Sequence, residues 1–241
     1  MRIMLALASR ERERLLAATR PVSLDDKEIL FDAGERIDTV YFPENAVVSL
    51  LTTVDGETAF EVANIGNEGV VGVPAFLGVD TVGARERYQV EIAGQARAMD
   101  VAAFLEAAQH DPLRRLVQRF VQALFIQVAQ RLACAALHPI QARYSRWLLL
   151  THDRMGDREF PLTQESLAQM LGVRRASVTT VASALQDDGF IRYSRGRMAI
   201  LDREGLENTA CECYRIIRGE LDRLLPLPGG PTETSLTRGQ R

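Results

Sequence analysis

The sequence predicts an α+β protein: an antiparallel β-roll, one long helix, and a C-terminal winged helix-turn-helix. Three observations carry this. Between Glu28 and Asp100, short apolar runs break at turn residues about every ten positions, as in all-β rolls and barrels. From Pro112 to Leu137, apolar residues recur at helical spacing with no breaker. From Leu162 to Ile200, two short amphipathic helices meet at a glycine and a hairpin follows.

The chain opens MRIMLALASRERERLL, too charged after Ser9 for a signal peptide. In the β region, EILF precedes Asp32-Ala33-Gly34, TVYF precedes Pro43-Glu44-Asn45, and VVSLLTT precedes Asp55-Gly56. Arg87 to Ile92 alternates polar and apolar residues, the mark of a half-buried strand.

In the long helix, Leu113, Val117, Phe120, Leu124 and Val128 form a stripe that Leu116, Val121, Phe125 and Leu132 widen. A stripe this broad predicts burial against two partners, its own barrel and a twin helix from a second subunit. His138-Pro139 then breaks the helix, because proline lacks an N–H and disfavours helix in the residue before it. This is the expected hinge. Gln141 to Met155, with Tyr144, Trp147, Leu148 and Leu150, starts the core of the second domain.

Thr163 is a candidate N-cap for a helix carrying Leu167, Met170 and Leu171, and Gly172 supplies the tight inter-helix turn. The next helix, at about 174–185, sets Val178, Val181, Ala182 and Leu185 on one face. Its other face carries Arg175, Ala176, Thr179, Thr180 and Ser183, small or basic side chains that let a duplex approach. Asp187-Asp188-Gly189 ends it. Phe190, Ile191 and Tyr193 read as a strand, Ser194-Arg195-Gly196 as a turn, and Met198 to Ile200 as the return strand.

LTQESLAQMLGVRRASVT and DDGFI…GRMAILDREGLE resemble the C-terminal domain of the Crp/Fnr superfamily of bacterial transcription regulators. The resemblance runs from about Leu5 to Leu225 and is stronger in the second half. It implies a jelly-roll-like, cyclic-nucleotide-binding-type β-barrel as sensor (residues 1–111) and a dimerisation helix (112–138). A winged helix-turn-helix (139–225) and a flexible tail rich in Pro, Gly, Ser and Thr (226–241) complete the chain. It further implies a cytoplasmic homodimer on a pseudo-palindromic site in double-stranded DNA, with RNA polymerase as a partner if the chain activates.

On the resemblance, Arg175 matches an arginine that contacts guanine; Arg174, Ser177, Thr179, Thr180 and Ser183 complete the base-reading candidates. Ala176 and Thr180 replace a Glu and a second Arg of the family pattern, so a different site is expected. Thr163, Gln164, Arg192, Arg195 and Arg197 are the phosphate candidates.

The expected effector pocket is Gly72, Val73 and Phe76 with Arg85 and Arg87. Cyclic AMP is not the expected effector. Val73 stands where the family places a ribose-binding Glu, no Ser or Thr follows either arginine, and the adenine-contact positions fall near Val128 and Ala129. Another small molecule remains open as effector, and so does the reading of the arginines as surface decoration.

No cofactor is expected. The first 133 residues hold no Cys for an Fe–S sensor, and His110, beside Asp111-Pro112, is the only His before His138. No metal site is expected either. Cys211-x-Cys213 is placed on a helix, where i and i+2 do not share a face, and Cys134 is read as a small packing residue.

The 241 residues are 46% hydrophobic and 25% charged, enough for two cores. The net charge of −3 is uneven: residues 172–200 hold five Arg against two Asp, a local +3, which leaves −6 elsewhere. Such a pattern steers DNA to one face. Three cysteines fit a reducing compartment. No run of about 18 apolar residues is present, so no membrane partner is expected. GxSxG, P-loop, HExxH and GxGxxG motifs are absent, which argues against an enzyme. The alternative reading is a small-molecule sensor whose DNA-binding head is vestigial.

Overall fold

The computed structural model describes residues 1–54, 59–156 and 159–227. The expected Asp55-Gly56 turn and the tail from residue 228 lie outside the described residues. Two short helices, α1 (Arg2–Leu5) and α2 (Ser9–Ala17), open the chain. Strands β1 (Arg20–Leu24), β2 (Ile29–Phe31), β3 (Thr39–Pro43), β4 (Val47–Thr53) and β5 (Ala59–Ile65) follow, then α3 (Val73–Phe76), β6 (Glu86–Ile92) and β7 (Gly94–Asp100).

These strands form two antiparallel sheets, β1-β7-β3 and β2-β6-β4-β5. Alternating side chains meet between them: Val40, Phe42 and Met99 from one sheet share a core with Val48, Leu50, Ile65, Tyr88 and Val90 from the other. The expected β-roll is therefore present. Helix α4 (Val101–Ala107) begins with Asp100 as its N-cap, whose carboxylate accepts from the Ala102 and Ala103 N–H groups.

Helix α5 (Asp111–Leu137) is the predicted long helix. The structure divides its apolar stripe. Leu113, Val117 and Phe120 are buried in the roll core of their own chain, and Leu124 and Val128 pack partly against it. Phe125 and Leu132 are 68% and 74% exposed, so the unpartnered face is theirs and not that of the first three. By length and composition alone α5 would also qualify as a membrane span, with a mean hydropathy of 1.5 over its most apolar window. That differs from the expectation that no such stretch exists. Within the fold, its buried Gln127 donates to the Asn64 carbonyl and side-chain oxygens at 3.0 and 2.9 Å.

The helix break falls where proline placed it. His138 is extended (φ −106°, ψ 145°) and Pro139 caps α6 (Ile140–Met155). The second domain continues with β8 (Glu159–Pro161), α7 (Gln164–Leu171), α8 (Arg175–Asp187), β9 (Ile191–Ser194), β10 (Arg197–Ile200), α9 (Arg203–Thr209) and α10 (Cys213–Leu224). Its sheet runs β8-β10-β9, so the wing has a third strand that the hairpin pattern did not reveal.

The two domains are packed together. Val47 and Ile92 of the roll join the core of Trp147, Leu167, Leu171, Val178, Leu185 and Met198. Buried Glu61 accepts from Trp147 Nε1 at 3.1 Å and from Arg131, and Arg154 pairs with Glu68 at 2.8 Å. Helix α10 folds back onto α5.

The cysteines are placed differently from expectation. Cys211 lies in the turn before α10 and Cys213 at its first residue, so the helical i, i+2 argument does not apply. Cys134 is buried, as read, and its sulfur lies 3.5 Å from that of Cys211, a neighbour the sequence did not reveal.

Candidate nucleic-acid interface

The interface starts from a cap and a turn. Thr163 Oγ1 accepts the Ser166 N–H at 3.0 Å and starts α7. Gly172 ends it in the left-handed region (φ 62°, ψ 43°), and the Val173 N–H returns to the Ala168 carbonyl at 3.0 Å. A Cβ at Gly172 would also come within 2.9 Å of the Phe60 ring, so this corner requires glycine twice over. Arg174 then caps α8.

Helix α8 docks through Val178, Ala182 and Leu185, all at most 1% exposed, with Val181 half-buried. That fixes the direction of the other face. Arg174, Arg175, Thr179, Thr180 and Ser183 are exposed, and Ser177 is half-buried. The two arginines sit at the N-terminal end of α8, whose first turn has no acidic residue. Cations there oppose the helix dipole, an arrangement that costs stability and concentrates positive potential where a duplex would lie.

Arg175 is held only weakly: its Nε is 3.9 Å from Glu165, with both side chains more than two-thirds exposed. The Thr179 hydroxyl faces the Gln164 amide oxygen at 2.7 Å and the Arg175 carbonyl at 3.1 Å. Thr180, itself exposed, donates back to the Ala176 carbonyl at 3.1 Å.

The wing turns at Arg195 (φ 51°) and Gly196 (φ 73°), two successive left-handed residues that match the twist of a hairpin. Arg192, Arg195 and Arg197 are all exposed. Glu159 on β8 pairs with Arg197 and lies 3.6 Å from Arg192. Hydrogen bonding from Arg197 holds the Glu159 carboxyl below its ordinary range. Arg195 has no carboxylate partner among the described residues. All the base and phosphate candidates therefore belong to one continuous unit: α7, α8, their flanking caps and the wing.

The sensor candidates do not converge in this way. Gly72 is the N-cap of α3, Val73 is 4% exposed, and Phe76 packs against Phe104 with ring centroids 6.4 Å apart. Arg87 grips Asp32 through two bonds of 2.9 and 3.0 Å, and Arg85 donates to the Val54 carbonyl at 2.7 Å. The nearby groove is lined by Gly34, Pro74, Leu77, Val79, Val82 and Glu86 among others, and by none of the five candidates. His110 is exposed.

Sequence reasoning missed the half-buried contacts behind the reading head, one from the connector helix and one from within the second domain. The Met170 carbonyl accepts from Arg131 and the Leu171 carbonyl from Arg143, so α5 and α6 hold the C-terminal end of α7. Arginine is common enough that only the fold distinguishes these two.

Residues 142–209 match the Crp-like helix-turn-helix domain family. No curated protein matches the chain. Among solved structures, the fold resembles FixK2 from Bradyrhizobium japonicum, with TM-score 0.67 and 15% identity over 80% of this chain and 98% of that one. It also resembles TTHB099, a CRP-family transcriptional regulator from Thermus thermophilus, with TM-score 0.64 and 21% identity over 78% and 96%. The c-di-GMP responsive global regulator CLP of Xanthomonas campestris is similar too, with TM-score 0.62 and 15% identity over 80% and 99%.

Proposed function

Residues 142–209 match the Crp-like helix-turn-helix domain and about four-fifths of the chain shares the fold of Crp/Fnr regulators; from that premise we propose that it is a homodimeric, sequence-specific DNA-binding transcription regulator, not an enzyme. One observation carries the reading: α8 docks its apolar side inward and presents Arg174 and Arg175 at an exposed leading end. Arg175 reads guanine through its fork, and Thr180 offers a methyl to a neighbouring base. Thr163, Gln164, Arg192, Arg195 and Arg197 meet phosphates and fix the register. The same exposure argues against a vestigial head.

The dimer forms through the outer face of α5, where Phe125 and Leu132 await a twin. Two copies of α8 then read a pseudo-palindrome, with half-sites about one helical turn apart. The regulator works in the cytoplasm, and RNA polymerase is its further partner at promoters it activates.

Cyclic AMP does not fit as effector. Val73 offers no ribose acceptor, and Asp32 already occupies the Arg87 fork. A different signal acts through the roll on the contacts that hold α7. Purified protein should protect discrete DNA segments from nuclease, each with a repeated half-site. Uniform or absent protection would refute the proposal. Calorimetry should show no micromolar cyclic-AMP binding.

A further inference from the structure

Four side chains from distant parts of the sequence meet at the hinge. Cys134 lies one turn from the end of α5, His138 is its C-cap, and Cys211 and Cys213 flank Glu212 at the start of α10. Their sulfur and ring-nitrogen atoms all lie within 4.8 Å of one another. The Cys134 and Cys211 sulfurs are 3.5 Å apart, and Cys213 Sγ is 3.4 Å from His138 Nδ1. We propose that Cys134, His138, Cys211 and Cys213 bind one Zn(II) ion in a structural tetrahedral site that locks the helix hinge to the DNA-binding domain.

The distances select this chemistry. Zn–S bonds of about 2.3 Å and Zn–N bonds of about 2.0–2.1 Å give tetrahedral edges of about 3.8 Å between sulfurs and about 3.6 Å between sulfur and nitrogen. The two measured contacts sit beside those edges, well outside the S–S bond length of about 2.05 Å in a disulfide. Three thiolates and one imidazole are a preferred donor set for Zn(II), and closed sites of this kind are structural. Closure is evident in the burial: Cys134 and Cys213 are 0% exposed and Cys211 is 7% exposed. A two-iron cluster spreads its ligands over two metals and does not suit four donors this close.

The surroundings are those of a built metal site. With Nδ1 turned to the ion, His138 Nε2–H points at the Glu212 carboxylate, 3.2 Å away. That is the carboxylate–histidine–metal relay that fixes ring tautomer and orientation. Gln130 Nε2–H donates to Cys213 Sγ at 3.2 Å. Three thiolates around a divalent ion leave one net negative charge. Arg146 stands close by, 3% exposed, and its Nε lacks a hydrogen-bond partner among the described residues. Its charge reaches Cys134. A buried guanidinium without a full set of partners is explained by an anionic neighbour.

The site would join the end of α5, the 138–139 break and the turn before α10, three segments whose relative position sets where α8 points. Its test uses the full chain, reduced and stripped of metal with a chelator, then titrated with Co(II) and Zn(II). One Co(II) per chain should give the intense visible bands of tetrahedral, thiolate-ligated cobalt, and equimolar Zn(II) should abolish them. Cys213→Ser should lose those bands. Glu212→Gln keeps every ligand and should weaken Zn(II) affinity by about 10–100-fold against a chromophoric chelator, with unchanged circular dichroism. Weak octahedral cobalt bands, equal binding by a Cys134→Ser/Cys213→Ser variant, a sulfide-containing chromophore in the isolated protein, or a Cys134–Cys211 disulfide as the resting form would each overturn the proposal.

Discussion

Glu91 and Glu159 show how burial decides what a charge does. Both Glu91 oxygens lie 2.7 Å from Lys27 Nζ, yet desolvation outweighs that pairing and pushes the carboxyl up to about 7. Glu61 and Asp26 add smaller repulsions. Between the ordinary value near 4.5 and about 7, the folded chain holds a proton that the unfolded chain has released. Stability therefore falls as pH rises through that window, by up to about 3 kcal/mol. Glu91→Gln should flatten the fall in thermal melts between pH 4.5 and 8; a parallel profile would show that Glu91 is not responsible. Glu159 is exposed and acts by proximity. It pairs with Arg192 and Arg197, the two arginines proposed to meet phosphates. Glu159→Gln should tighten binding to random duplexes several-fold and steepen the salt dependence, measured by fluorescence anisotropy.

At the scale of elements, what was legible in sequence was what is local. Helices α7 and α8 follow from a cap, a glycine and one apolar stripe, all close together in the chain, and the structure places each of them as read. Strand β8 has three residues and no periodicity to detect. The cysteine cluster was hidden for another reason: Cys134 and Cys211 are 77 positions apart, and only the packing of α10 on α5 brings them together. Periodicity also gave α5 its apolar positions without saying which partner covers each. Leu113, Val117 and Phe120 face their own roll, so substituting them should unfold the monomer. Phe125→Glu with Leu132→Glu should instead leave circular dichroism intact and shift sedimentation equilibrium from dimer to monomer at micromolar concentration. A persistent dimer would place the subunit contact elsewhere.

Across the whole molecule, the roll, the connector and the reading head are held by buried polar contacts as well as by apolar packing. Glu61 on β5 bonds Ser49, Arg131 and Trp147, and Arg131 continues to the Met170 carbonyl of α7. A strand of the β-roll thus reaches the helix-turn-helix through two side chains. Glu61→Ala leaves Arg131 buried without its partner, a change that costs about 3–5 kcal/mol. Its signature should be faster amide exchange at the C-terminal end of α7, with the roll strands β1 and β3 protected as before. Uniform loss of protection would mean that the pair serves global stability and not communication between the domains.

The most direct measurement compares Arg175→Ala with Arg195→Ala on a selected binding site and on random DNA across a salt series. Arg175→Ala should lose about 1–3 kcal/mol on the selected site alone, with sequence preference relaxed at one base pair. Arg195→Ala should weaken both DNAs alike and flatten the salt slope by about one unit. Equal losses on both DNAs for Arg175→Ala would contradict the placement of the leading end of α8 against base edges.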